Sequence, residues 1–292
     1  MQAEAKYDGN RLIAMVTESE VKYYARSGKE SKLGTFDTEL LEIRQWLGHD
    51  FVIDGEVLAS SFQETMNAKS DSNEKARDAL KFYAFDLMSL AEWEANSCPR
   101  VQHVRTSQLT ALLAAPRSTQ RVVQSKVKTV HNMKELLAFL DEVIQDGINP
   151  DGTLNGLGEG LIIKDLNGYY EWERSEVVRD RKTKVVTKAT YWTKFKPIIT
   201  VDAKIVDFFE GRGRLVGTLG GVVVEGVDEN GRQFRSDVGS GFKDKDRDMI
   251  WANRGKYLNA TVELEVQEIS LAQNATVHSL RFPIYKQLRD DK

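Results

Sequence analysis

The chain has 292 residues, 41% of them hydrophobic, and a formal net charge of −3. This length and composition allow one large core or two moderate ones and exclude a disordered or low-complexity protein. There is no apolar run that could span a membrane, no signal-peptide pattern and no zinc-ligand spacing, and the single cysteine, Cys98, fits a reducing, cytoplasmic compartment.

The first two thirds of the chain alternate between strand and helix patterns, which indicates an α+β domain with mostly antiparallel sheets. The pattern predicts strands over 12–16, 21–25, 51–58, 81–88, 160–165 and 192–197. It predicts helices over 39–47, 74–80 and 100–115, and a fourth that Asn132 caps and Gly147 ends. Residues 60–79 are polar and read mainly as a loop.

After Pro197 the sequence pattern changes to short predicted strands, many glycines and a single predicted helix over 244–251. Strands are predicted over 201–209, 221–227, 232–238 and 261–269, and Asn230-Gly231 is a strong hairpin signal. This combination predicts a small, partly open β-barrel of the OB type. We therefore expect two domains, 1–198 and 199–292.

Lys6 stands near the start of the chain in the frame Lys6-Tyr7-Asp8-Gly9-Asn10-Arg11, or K-x-D-G-x-R. A lysine becomes a nucleophile when burial or neighbouring cations favour its neutral form. Gly9 lets the backbone turn or approach a ligand, and Arg11 offers a planar fork for phosphate or ribose oxygens. Alone, the frame fits a solvated strand-to-turn segment equally well.

Further short motifs follow in order: RSGK at 26–29, DGE at 54–56, FYAFD at 82–86, EGLIIK at 159–164 and WTKFK at 192–196. A carboxylate at a strand end, such as Glu56, suits a ribose hydroxyl or a hydrated metal ion. An aromatic ring that points into a cleft can stack on a base. Lys194 and Lys196 alternate along a strand and so face one side, which costs free energy unless an anion lies between them.

A basic run separates the last two motifs, with eight positive residues opposed only by Glu176 and Asp180. Its positive residues are Arg174, Arg179, Arg181, Lys182, Lys184, Lys188, Lys194 and Lys196. Such a run is either a solvated loop or a site of phosphate contact, and its place between two motifs favours DNA binding through Arg174 to Lys188.

Taken together, the ordered motifs resemble those of the nucleotidyltransferase superfamily of ATP-dependent DNA ligases, RNA ligases and messenger RNA capping enzymes. The sequences RFP at 281–283 and LRDDK at 288–292 are similar to the final motif of DNA ligases, and VGSGF at 238–242 is similar to a glycine turn in their OB domain. The compact layout, with SFQET at 61–65, is most like the small bacteriophage-type enzymes.

The resemblance implies an adenylation domain followed by an OB-fold domain, and it assigns a role to each matching residue. Lys6 carries AMP, Glu4 contacts adenine, and Phe85 stacks against the base. Arg11 and Arg26 bind the ribose and phosphate region.

The same resemblance implies the phosphate and metal contacts. Lys164 and Lys194 contact the α-phosphate, and Lys196 supports them. Glu56 holds the ribose and assists a Mg²⁺ ion, and Glu159 acts mainly through that metal.

From the OB domain, Arg281, Arg289 and Asp290 act on ATP and orient the departing pyrophosphate. The implied activity is an ATP-dependent DNA ligase, acting as a monomer on nicked double-stranded DNA with ATP and Mg²⁺. The alternatives are a capping-type guanylyltransferase, an RNA ligase and an inactive nucleic-acid-binding relative.

Two features depart from the family pattern. Only five residues precede Lys6, so that this is either a minimal form or the true start lies upstream. The stretch between Lys164 and Lys194 is longer and more basic than in small relatives, and what it binds stays open.

Overall fold

The computed structural model describes residues 1–59, 62–68, 74–149, 155–172, 178–179, 186–187, 191–270 and 276–289. The chain divides into two compact units, residues 1–195 and 196–292. Within the described residues, no helix is both long and apolar enough to cross a membrane. Several predicted site residues lie outside the described part: the DNA-binding residues Arg174, Arg181, Lys182, Lys184 and Lys188, the side chain of Arg179, and Asp290.

In the first unit the strands are β1 Gln2–Lys6, β2 Asn10–Val16, β3 Val21–Ala25, β4 Phe51–Leu58, β5 Lys81–Ser89, β6 Val122–Gln124, β7 Val127–Thr129, β8 Gly160–Lys164, β9 Val178–Arg179, β10 Val186–Thr187 and β11 Trp192–Phe195. The helices are α1 Asp37–Leu47, α2 Phe62–Asn67, α3 Glu74–Asp78, α4 Leu90–Glu94, α5 Gln102–Leu113 and α6 Met133–Asp146.

Two main sheets organise this unit. A five-stranded sheet has the order β3-β2-β4-β5-β6, and a four-stranded sheet has the order β11-β8-β1-β7. All their neighbouring strands are antiparallel except the β5–β6 pair, which is parallel. The mixed α+β class with mostly antiparallel sheets is therefore confirmed.

The four-stranded sheet separates apolar from charged side chains by the alternation of its strands. Ala3, Ala5 and Leu161 point to one face and belong to the same buried core as Phe139 of α6. The residues between them in the sequence, such as Glu4, therefore point to the opposite face, which carries the charged motif residues.

Helix α6 follows from its sequence. The Asn132 side chain accepts a hydrogen bond from the Glu135 N–H at 3.0 Å, which caps the first turn. Leu136, Phe139, Leu140 and Val143 are buried at helical spacing. The helix covers the apolar face of the four-stranded sheet and leaves the charged face to the site.

The strands of the second unit are β12 Ile199–Glu210, β13 Leu219–Val227, β14 Gln233–Val238, β15 Thr261–Val266, β16 Glu268–Ser270, β17 Ser279–Arg281 and β18 Ile284–Leu288. Its helices are α7 Asp244–Ala252 and α8 Arg254–Tyr257, with one 3₁₀ turn at Gly213–Leu215. A five-stranded antiparallel sheet has the order β14-β13-β12-β15-β18, and β16 pairs with β17.

Most sequence-predicted elements are confirmed, including α1, α3, α5, α6, α7 and the β13–β14 hairpin, where Gly231 has φ +77°. Residues 60–79 were predicted to be mainly a loop, which was wrong because this segment also contains α2. After Pro197 a single helix was predicted, whereas the structure has α8 in addition to α7. The strand predicted over 192–197 ends at Phe195, and the one predicted over 261–269 divides into β15 and β16.

Several elements were not predicted: β1, β6, β7, α4, β17 and β18. The three-residue strands β6, β7 and β17 are too short to show a periodic pattern. Their positions are decided by pairing with distant strands, as in β1 with β7.

Candidate active site

Strand register brings the first and fourth motifs together. Strand β1 pairs with β8, so that Lys6 lies opposite Gly160 and Glu4 opposite Ile162. Strand β11 pairs with the other edge of β8, which puts Lys194 opposite Ile162. Residues paired across an antiparallel sheet share a face, so the motif side chains of three strands lie on one surface.

Lys6 stands at the end of β1 and contacts Glu159, which immediately precedes β8. The Lys6 Nζ and the Glu159 carboxylate form an ion pair, with both side chains largely buried. The backbone N–H of Glu159 also donates to the Lys6 carbonyl at 3.1 Å. The described partner of this amine is therefore a carboxylate, and the role of Lys6 as the residue that carries AMP stays a prediction.

The turn after Lys6 explains the glycine of the first motif. A Cβ at Gly9 would lie 2.6 Å from the carbonyl oxygen of Val57 on β4. Only a residue without a side chain fits so close to that strand. Gly9 therefore lets the chain pass directly from β1 into β2 beside the strand that carries Glu56.

Lys164 is the second buried amine of the charged face, with an exposure of 1%. Its Nζ lies 2.6 Å from Glu4 Oε2 and donates to the Phe85 carbonyl at 3.2 Å. The ammonium also faces the Trp192 ring, 4.3 Å from the ring centroid. Burial raises the pKa of Glu4, and the nearby Lys164 opposes this rise. The residues assigned to adenine and to phosphate are thus paired with one another.

Phe85 points toward this face because of a β-bulge. The register between β4 and β5 shifts from Asp54 opposite Asp86 to Gly55 opposite Ala84, which leaves Phe85 as the extra residue. A bulge redirects side chains and is common beside active sites. The Phe85 ring meets the Trp192 ring edge-on at 6.1 Å, and it lies 5.1 Å from Lys164 Nζ.

Arg11 of β2 is held by Asp54 of β4. Its Nε donates to Asp54 Oδ1 at 3.0 Å and its Nη2 to Oδ2 at 2.6 Å. The same Nη2 donates to the Tyr170 hydroxyl at 3.0 Å. This fork is the geometry in which arginine binds a carboxylate most strongly. Asp54 thus orients Arg11, a role that sequence reasoning did not assign to it.

Glu56 lies beside these groups on β4, opposite Arg11 of β2. Burial raises its pKa to about 7; the Lys6 charge opposes this rise, and the neighbouring carboxylates Asp54 and Glu159 add to it. Glu56, Lys6 and Glu159 therefore lie within electrostatic reach of one another.

The structure places the remaining predicted residues of the motifs on other elements. Arg26 lies in the exposed turn after β3, and Lys194 is exposed on β11. Lys196 belongs to the second unit, where its Nζ donates to Gln267 Oε1 at 3.3 Å. The prediction that Lys194 and Lys196 share one strand was wrong, because β11 ends at Phe195.

Two predicted residues of the second unit lie on strands or directly after them. Arg281 of β17 pairs with Glu268 at 3.3 Å. Arg289, just after β18, pairs with Glu263 at 2.9 Å. Their roles toward a nucleotide stay predictions.

Sequence reasoning missed Tyr170 and gave Trp192 no role of its own. Tyr170 has an exposure of only 4%, although it lies in a polar segment that predicts a loop. Trp192 stands inside the WTKFK motif, in which the resemblance assigns roles only to the lysines. That Trp192 and Tyr170 belong to the site is shown only by the fold, which brings Trp192 close to Lys164 and Tyr170 close to Arg11.

The chain matches the family model described as "ATP dependent DNA ligase domain" over residues 1–179, more than half of its length. The DNA ligase of Enterobacteria phage T4 is 26% identical over 344 aligned positions, which cover 99% of this chain and 64% of that protein. DNA ligase 2 of Thermofilum pendens is 25% identical over 258 positions, which cover 84% of this chain and 39% of that protein. The chain therefore belongs to the ATP-dependent DNA ligase domain family.

Solved structures share the fold. One named "Pmar-Lig_Pre." superposes with a TM-score of 0.79 at 26% identity, covering 100% of this chain and 64% of that one. A structure from work on Lig E DNA ligases superposes with a TM-score of 0.62 at 18% identity, covering 99% of this chain and 92% of that one, and shows the fold alone. The chain thus spans less than two thirds of the length of the phage T4 relative.

Proposed function

We propose that this chain is an ATP-dependent DNA ligase that seals nicks in duplex DNA through an AMP carried on Lys6. The observation that supports it most directly is the pairing of β1 with β8, which brings Lys6 to Glu159 and Glu4 to Lys164 on one face. Membership of the ligase domain family adds to this support.

Three steps make up the proposed reaction. The Lys6 Nζ, after losing its proton, bonds to the α-phosphorus of ATP, and the bond to pyrophosphate breaks. AMP then passes from Lys6 to the 5′-phosphate of a nick. The 3′-hydroxyl attacks that activated phosphate, AMP leaves, and a phosphodiester bond closes the strand.

The described residues fit the first step. In phosphoryl-type transfer, protein groups mainly position the reactants and neutralise charge. Lys164 supplies a buried positive charge on β8, the strand next to the edge strand β11 that holds Lys194, which suits it to an α-phosphate. Its ion pair with Glu4 joins the residue proposed to contact the α-phosphate to the residue proposed to contact adenine.

Glu56 and Glu159 fit a Mg²⁺ ion shared with ATP. Magnesium takes one or two carboxylates and completes its shell with phosphate oxygens and water. Among the described residues there is no group of three or more metal-ligating side chains, so Glu56 and Glu159 would share the ion with phosphate oxygens and water. A bound Mg²⁺ would neutralise charge on the phosphates.

We propose that the second unit is an OB-type domain that closes over ATP. Its long strand β12 pairs with both β13 and β15 and carries register shifts at 205–207 and 209–210. An isolated bridge joins Ser240, just after the edge strand β14, to Ile284 of the opposite edge strand β18, and a second bridge joins Phe234 of β14 to His278, just before β17. Such bulges and edge contacts are how a sheet curls into a barrel.

The test is transfer of label from ATP radiolabelled at the α-phosphate. The wild-type chain should acquire covalent label, and Lys6→Ala should abolish it, while Lys22→Ala, an exposed lysine, should leave it unchanged. Label that persists in Lys6→Ala would show that another residue carries AMP.

Substrate preference separates the alternatives. We expect sealing of a nicked DNA duplex with ATP and not with GTP. A preference for GTP would favour a capping-type enzyme, and a preference for nicked RNA would favour an RNA ligase. No nucleotide adduct by mass spectrometry would favour an inactive nucleic-acid-binding relative.

A further inference from the structure

Tyr170 occupies the junction between the two main sheets of the first unit. It follows β8 of the four-stranded sheet, and its hydroxyl reaches Arg11 and Asp54 of the five-stranded sheet. Its ring is almost fully buried. The residue belongs to no motif that the sequence revealed.

The Tyr170 hydroxyl completes a closed set of hydrogen bonds with an arginine and a carboxylate. It donates to Asp54 Oδ2 at 2.6 Å and accepts from Arg11 Nη2 at 3.0 Å. Burial raises the pKa of Tyr170 well above its ordinary value, and the Asp54 charge adds to the rise. The hydroxyl therefore keeps the proton that it donates.

A third hydrogen bond changes how firmly Arg11 is held. The two bonds to Asp54 fix one edge of the guanidinium but leave it able to tilt about the line that joins them. The Tyr170 hydroxyl contacts Nη2 from a separate position and opposes this tilt. None of the described contacts uses Arg11 Nη1. The direction in which Nη1 points is therefore set by the plane in which Asp54 and Tyr170 hold the guanidinium.

Aromatic neighbours immobilise the Tyr170 ring. Trp192 and Trp172 contact it edge-on, with ring centroids at 5.5 Å and 4.9 Å, and Trp93 lies at 6.3 Å. Edge-to-face pairs of this kind stabilise one ring orientation. Trp192 is also the ring that faces Lys164 Nζ, so one aromatic cluster supports both cations.

We propose that Tyr170 is a positioning residue that fixes the guanidinium plane of Arg11 for contact with the nucleotide. This inference rests on the proposed function, because it assigns Arg11 a nucleotide contact in the adenylation of Lys6. A guanidinium held in one plane binds phosphate or ribose oxygens without losing further freedom.

The test is a double-mutant cycle on single-turnover adenylation, measured as kcat/KM for ATP. Tyr170→Phe keeps the ring and removes the hydroxyl, and we expect it to lower kcat/KM about 10-fold, the size that a hydrogen bond to a charged group carries. In an Arg11→Lys background the same change should have an effect of less than about 2-fold, because lysine has no plane to fix.

Tyr169→Phe is the matched control, since Tyr169 is adjacent and 49% exposed. It should leave kcat/KM unchanged in both backgrounds. If Tyr170→Phe does not fold, Tyr170→Met, which fills the space without a hydrogen-bonding hydroxyl, replaces it with the same expected pattern. Equal losses in the two backgrounds, or no loss beyond that of Tyr169→Phe, would refute the positioning role while leaving the ligase proposal intact. A wild-type chain that takes no label from ATP would refute both.

Discussion

Glu56 makes the stability of the first unit depend on pH in a direction that the structure fixes. Its pKa is about 7 in the folded chain, against an ordinary value of 4.5, because burial disfavours the carboxylate. The folded state therefore binds the proton more tightly than the unfolded state. The free energy of unfolding must fall as pH rises from 4.5 through 7, and it levels off above that.

The size of this effect follows from the two pKa values. Integration of proton linkage from pH 5 to pH 8 gives a loss of about 2.5 kcal/mol from this one carboxyl. Glu56→Gln has no proton to exchange. Its free energy of unfolding should therefore gain about 2.5 kcal/mol relative to the wild type over the same pH range.

Urea unfolding followed by tryptophan fluorescence measures this difference. Four of the five tryptophans lie in the first unit, so a Trp251→Phe background restricts the signal to that unit. Glu94→Gln, at an exposed position of α4, is the control and should differ from the parent by the same amount at every pH. A Glu56→Gln difference that stays constant from pH 5 to pH 8 would refute the reasoning.

Three further predictions concern other parts of the chain. Arg105→Met leaves Asp86 buried without the arginine that now lies 2.7 Å from it, and it should lower the free energy of unfolding in urea by about 3–5 kcal/mol. The double variant Arg105→Met with Asp86→Leu should recover most of that loss. Arg179→Ala with Arg181→Ala should flatten the slope of log Kd for nicked DNA against log salt by about 2, and an unchanged slope would mean that the basic run does not touch phosphate. Arg281→Ala should slow self-adenylation more than sealing of a pre-adenylated nick, and equal losses would contradict the proposed role of the second unit in closing over ATP. A point change is used because removal of the C-terminal residues would delete β17 and β18.

Local signals in the sequence were sufficient for the elements that carry their own pattern. The Asn132 cap and the spacing of Leu136, Phe139 and Val143 define α6 without reference to any other segment. The Asn230-Gly231 pair defines a hairpin because a two-residue turn of that type needs a positive φ, which Gly231 adopts. The order of the motifs was sufficient for the family, which the matched family model confirms.

The contacts of the site depended on pairings between distant segments. Lys6 meets Glu159 across 153 positions, and Tyr170 meets Asp54 across 116. Phe85 faces the site only because a bulge shifts the alternation of β5. Side-chain alternation predicts which residues share a face of one strand, but the partner strand and its register follow from burial of the whole sheet. The sequence alone therefore determined which residues are available for the chemistry, and the tertiary structure decided which charges neutralise one another and that an unassigned tyrosine stands among them.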